Sequence, residues 1–102
     1  MIKEIKNNNM EEANKAKVAV VDFSATWCGP CKMLSPVIEA LSEEMSDVEF
    51  FGADVDENGE LAAQFGVQGV PTVVLLKEGQ KVAQNVGFVP KENLQGFIKA
   101  NM

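Results

Sequence analysis

The chain has 102 residues, the size of one compact domain, and its nine lysines and fifteen carboxylates, with no arginine, give a formal charge of −6. It holds two cysteines, Cys28 and Cys31, and no histidine or tyrosine, which excludes Ser-His-Asp and Cys-His catalysis, the usual structural zinc site and a disulfide-dense scaffold. The acidic balance argues against nucleic acid, whose phosphates call for a basic stripe, while 46% apolar and 24% charged residues are those of an ordinary globular domain.

Ile2 and Ile5, set among charged residues, predict a short and peripheral first strand. Asn9 followed by Glu12 has the spacing of a capping box and predicts a short helix reaching about Ala16. Val18 to Phe23 is a nearly continuous apolar run rich in β-branched residues, which reads as a central strand covered on both faces. Leu34, Val37, Ile38, Leu41 and Met45 then recur at helical spacing, so a long helix follows Cys28. Pro36 falls inside it and should kink it, because proline removes an amide donor and clashes one turn back.

Val48 to Val55 is the next strand, and Asn58 can cap a helix over Glu60–Phe65 that Gly66 ends. Thr72–Leu76 and Lys81–Val86 flank Lys-Glu-Gly-Gln and predict a hairpin. Pro90 suits the first position of a final helix that buries Leu94, Phe97 and Ile98. No repeat or linker intervenes, so residues 1–102 read as a single α/β domain in the order β-α-β-α-β-α-β-β-α. Alternating strands and helices imply parallel pairing with right-handed crossovers, and the hairpin makes the sheet mixed, with helices on both faces.

The amino terminus shows no apolar run of roughly seven to fifteen residues, so no signal peptide is expected, although one already removed would leave no trace. The longest apolar stretch, Val70 to Leu76, is far below the roughly twenty residues of a membrane helix. A cytoplasmic chain without membrane association is therefore expected. In that reducing compartment a Cys-x-x-Cys pair is more often catalytic or metal-binding than structural. As a metal site Cys28 and Cys31 would need further ligands from a second chain, which favours redox chemistry.

Trp27-Cys28-Gly29-Pro30-Cys31 lies where the buried strand gives way to the long helix. Spacing of one helical turn brings the two sulfurs within reach of an intramolecular disulfide. The unpaired amides and positive dipole of the helix start favour a thiolate on Cys28. Pro30 can restrict the turn without losing a needed donor, and Gly29 leaves room for an approaching chain. Lys32 reads as a solvated helix residue.

Residues 21–33, Val-Asp-Phe-Ser-Ala-Thr-Trp-Cys-Gly-Pro-Cys-Lys-Met, resemble the active-site segment of the thioredoxin family. Pro36, Asp54-Val55-Asp56, Gly69-Val70-Pro71-Thr72 and Gly87 extend the resemblance over the whole chain. It implies the thioredoxin fold, a mixed sheet of about five strands flanked by about four helices. It also implies a general protein-disulfide reductase in which Cys28 attacks a substrate disulfide and Cys31, more buried, resolves the mixed disulfide. No bound cofactor is implied. A thioredoxin reductase would supply the reducing equivalents, disulfide-containing proteins would be the clients, and a monomer is expected.

Asp22, the lone charge in its strand, would by itself read as a solvated strand-end carboxylate. The resemblance instead implies a buried carboxylate of raised pKa that moves protons to and from Cys31. Pro71 would by itself be trans; the resemblance implies a cis proline facing the cysteines, with Val70 offering its backbone to an extended substrate segment. Trp27, which could equally be core, would join Gly29, Pro30, Gly69, Val70, Pro71 and Gly87 in a flat docking surface. Two positions depart from the pattern. Ser24 replaces a frequent tryptophan, and Gly52 stands where a lysine often approaches the buried aspartate, which leaves the pH dependence of Asp22 open. A thioredoxin-fold oxidase or isomerase commonly has histidine between the cysteines, and Gly29-Pro30 supplies none. A binding subunit that uses the same face without turnover is the remaining alternative.

Overall fold

A computed structural model describes residues 1–102. The elements run β1 (Ile2–Ile5), α1 (Glu11–Lys15), β2 (Val18–Ser24), α2 (Gly29–Glu44), β3 (Glu49–Asp54), α3 (Gly59–Gln64), β4 (Thr72–Lys77), β5 (Gln80–Val86) and α4 (Lys91–Ala100). The sheet order is β1-β3-β2-β4-β5; β1, β3 and β2 are parallel, and β4 and β5 are each antiparallel to the preceding neighbour in that order. This is the mixed five-stranded sheet with four helices expected from the sequence. The strand most apolar in sequence, β2, takes the centre, and the charge-interrupted β1 takes an edge.

Side chains alternate across a strand, so β2 serves two cores. Ala19, Val21 and Phe23 pack with Phe51, Val74 and Leu76 under α1 and α3, contacting Ala13 and Leu61. Val18 and Val20 face the other way, toward Leu34, Ile38 and Leu41 of α2 and Leu94 and Ile98 of α4. Each of these fully buried Leu and Ile side chains is worth roughly 1.5–3 kcal/mol of transfer free energy. The same alternation puts Asp22 on the α2 side. α2 runs through Pro36, which withholds the amide that would bond the Lys32 carbonyl. No helix is long and apolar enough to cross a membrane.

The element ends correct the sequence reading in several places. Met45 caps α2 rather than lying in it, and β3 is shorter than Val48–Val55, although the Val55 amide still donates to the Ser24 carbonyl at 2.9 Å. Pro90 is the N-cap of α4, one position before the one expected. The capping box at α1 does not form. Met10 is the N-cap, Asn9 Oδ1 accepts from the Glu11 amide, and Glu12 pairs with Lys3 across to β1. That pairing draws the Glu12 carboxylate away from the helix start.

Asn58 precedes α3 but does not cap it with its side chain. Asn7 and Asn8 both adopt left-handed backbone, φ 54° and 58°, a conformation asparagine tolerates. The turn aims Asn8 at α3, where its Oδ1 accepts from the Leu61 amide at 3.0 Å. Asn58 is freed to bind elsewhere: its side-chain amide donates to the Ile5 and Asp54 carbonyls, and its Oδ1 accepts from the Asn8 amide. Fully buried, it ties β1, β3 and α3 together. In the β4–β5 hairpin, Glu78 and Gly79 have φ 49° and 82°, the paired left-handed conformations of a two-residue hairpin turn.

Candidate active site

Cys28 ends the loop from β2 and is the N-cap of α2, with extended backbone at φ −97° and ψ 115°. Its Sγ accepts the Cys31 amide at 3.2 Å, taking one of the donors that a helix start leaves unpaired. Cys28 and Cys31 form a disulfide, their Cα atoms 5.3 Å apart. Pro30 sits in the first turn, where no amide is missed. The two cysteines are equally buried, 5% and 4% exposed, so the expected greater burial of Cys31 is not found. What separates them is their surroundings. Cys28 Sγ lies 3.6 Å from the Val70 carbonyl oxygen, whereas Cys31 borders a cleft on the other side with Asp22.

The loop before β4 approaches this turn through a cis Val70–Pro71 peptide bond. The Pro71 carbonyl accepts the Gly87 amide at 2.8 Å, and Thr72 Oγ1 donates to the Gly69 carbonyl, so the loop is fastened at both ends. Gly87 holds φ +94°, which favours glycine. Open space surrounds the Cα atoms of Gly29 and Gly69. Trp27 is a surface residue, 69% exposed, and its indole N–H donates to Asp56 Oδ2 at 3.0 Å, fixing the ring beside the cysteines. Pro71 is buried, Val70 and Gly87 are half-buried, and Gly29, Pro30 and Gly69 are exposed. Lys32 is exposed on α2.

Asp22 is 8% exposed, so the solvated reading of this residue fails. Its Oδ1 is fully buried with no hydrogen-bond partner. Burial, and after it the negative charge of Glu4, push the carboxyl up to about 6. A cleft of about 220 Å³ connects this carboxyl to Cys31, Glu4, Gly52 and Lys32. Glu4 is a site neighbour that sequence reasoning missed. Its signal was a register across three strands, which needs the fold to be seen. Asp56, the partner of Trp27, carries no signal in the sequence beyond its place in the Asp54-Val55-Asp56 segment. A larger hollow of about 450 Å³ lies against α1 and holds neither cysteine. No three side chains of the metal-binding types converge on one point.

A disulfide between two cysteines one turn apart at a helix start, its first sulfur beside a loop carbonyl, is the arrangement of a thiol–disulfide oxidoreductase. Comparison with known proteins narrows the class. A family model described as Thioredoxin matches residues 1–100. The chain is 48% identical over 86 residues to the thioredoxin of Bacillus subtilis, covering 83% of each protein. It is 45% identical over 102 residues to that of Staphylococcus haemolyticus, covering 99% of this chain and 98% of the relative. The crystal structure of Fasciola hepatica thioredoxin superposes with a TM-score of 0.80 at 41% identity, covering 89% of this chain and 86% of that one. The chain belongs to the thioredoxin family, and its activity is that of a protein-disulfide reductase working through the Cys28–Cys31 pair.

Proposed function

We propose that Cys28 is the attacking sulfur, Cys31 the resolving one and Asp22 the proton carrier for Cys31. The observation that supports this division is the placement of Cys28 at the N-cap of α2, its Sγ accepting an amide hydrogen bond and lying against Val70. After reduction of the disulfide, the helix start favours a thiolate at Cys28. That thiolate attacks one sulfur of a client disulfide, forming a mixed disulfide and expelling the other client sulfur as a thiolate, which takes up a proton. Cys31 then passes its proton to the Asp22 carboxylate, and its thiolate attacks Cys28 Sγ. The Cys28–Cys31 disulfide forms, the second client sulfur leaves and is protonated, and two electrons have moved to the client.

Trp27, Gly29, Pro30, Gly69, Val70, Pro71 and Gly87 would form the docking surface for an extended client segment, with the Val70 backbone as its pairing edge. A single domain of residues 1–102 would act as a monomer in the cytoplasm, without a bound cofactor, and a thioredoxin reductase would return electrons to it. As a general electron donor to reductive enzymes, it would serve cell redox homeostasis. Two measurements test the reading. Cys31→Ser should trap clients as mixed disulfides on Cys28, and Cys28→Ser should trap none. Equilibration with glutathione should give a potential near about −270 mV, the value typical of thioredoxins, whereas about −120 to −180 mV would indicate an oxidase or isomerase.

A further inference from the structure

Three strands bring one row of residues together in front of the cysteines. Glu4 of β1 pairs in register with Gly52 of β3, and Gly52 pairs with Asp22 of β2. Residues in register on parallel strands share a face, and all three line the cleft that also reaches Cys31. Gly52 itself puts no side chain between the two carboxylates, and Ile2 edges the cleft beside them. A Cβ placed on Gly52 would lie 3.2 Å from Glu4 Oε1, so the Glu4 carboxylate itself leans over the gap.

We propose that Glu4 is a positioning residue for the redox step: facing Asp22 across Gly52, its negative charge keeps a proton on Asp22 until higher pH. The proposal rests on the reading of Asp22 as the proton carrier for Cys31. Other groups around the pair are few. β4 presents Val73 in register with Asp22, and α2 contributes Cys31, Ser35 and Lys32, the only cation bordering the cleft. Burial pushes the Glu4 carboxyl above its ordinary value, the charges of Glu57 and Asp54 push it the same way, and Lys6 opposes them. Glu4 is exposed on the edge strand β1.

The test is the midpoint of Asp22, read from its carboxyl carbon-13 chemical shift in the oxidised protein, where the cysteines do not titrate. Two strand spacings separate Glu4 from Asp22 by about 10 Å, where loss of one charge lowers the midpoint by between about 0.3 and about 1 on the pH scale. Glu4→Gln should show that fall, and Glu4→Asp, which keeps the charge, should recover most of the wild-type value. Gly52→Val fills the gap with apolar atoms and should move the midpoint the other way. An unchanged midpoint in Glu4→Gln overturns the proposal, even where Gly52→Val raises it, since burial alone would then set Asp22. Separately, Asp22→Asn is assayed for turnover: an unchanged pH–rate profile removes the proton-carrier reading but leaves the measured Glu4–Asp22 coupling intact.

Discussion

Replacing Asp22 by asparagine removes a charge that the fold pushes against, and the consequence is set by pH. In the folded protein burial and Glu4 hold the Asp22 carboxyl at about 6, against 3.8 for the free group. That difference corresponds to about 3 kcal/mol between the two protonation states. Between these values the folded state binds the proton more tightly than the unfolded chain, so stability falls as pH rises. The contribution is fully present below about pH 3.8 and is lost as pH climbs through about 6. Asparagine has nearly the same shape and cannot ionise, but its amide would occupy the site where Oδ1 already lacks a partner, at about 1–3 kcal/mol independent of pH. The informative quantity is therefore the difference between wild type and Asp22→Asn, followed from pH 4 to pH 8 by urea unfolding of the oxidised proteins. Over that window it should shift in favour of the variant by about 2.4 kcal/mol, or between about 0.8 and about 2.4 M in midpoint, with unchanged slope. The other carboxylates cancel in that difference. A difference that stays flat to within about 0.5 kcal/mol would mean that Asp22 is solvated, and the argument for its raised proton affinity would fall with it.

Asn58→Ala should destabilise the protein by at least about 2 kcal/mol in urea unfolding, because it leaves the Ile5 and Asp54 carbonyls and the Asn8 amide without their buried partner. Asn8→Ala, which removes the side chain capping α3, should cost about 1 kcal/mol in the same measurement. Gly79→Ala places a side chain at φ +82° and 3.3 Å from the Asn14 carbonyl oxygen, so a loss of about 1–2 kcal/mol is expected; wild-type stability would contradict the hairpin geometry. Trp27→Ala should raise KM for a protein disulfide about tenfold, the effect of losing about 1.4 kcal/mol of docking energy, and an unchanged KM would remove Trp27 from the docking surface.

How much the residues alone revealed depended on how local each cause was. The apolar run at Val18–Phe23 and the helical spacing from Leu34 to Leu41 placed β2 and α2, because one strand or one helix face carries its own signature. The Cys28–Cys31 pair was equally legible, since one turn of helix brings both sulfurs together. Asn8 and Asn58 were not, because the residue that caps α3 is 53 positions from the amide it binds. The capping pattern at Asn9 misled for the same reason: Lys3 on a neighbouring strand claimed Glu12. Asp22 stood between the two cases. Its isolation in an apolar strand was visible, but whether it met water or α2 depended on where the chain crossed the sheet.

Gly52 shows the limit most plainly. A glycine inside a strand ordinarily weakens it, offering no side chain to pack and more backbone freedom to lose. Read alone, the position is only a departure from the family pattern. Read in register, it is the gap in a row of three residues whose outer members are both acids. Any larger residue would bring its Cβ to 3.2 Å from Glu4 Oε1. The Glu4 charge raises the proton affinity of Asp22, and Asp22 shares its cleft with the sulfur that must lose a proton to close the disulfide. A substitution that leaves both cysteines untouched can therefore still move the pH at which they work. A cation introduced by Gly52→Lys should oppose that effect and lower the midpoint of Asp22, the direction expected of Glu4→Gln.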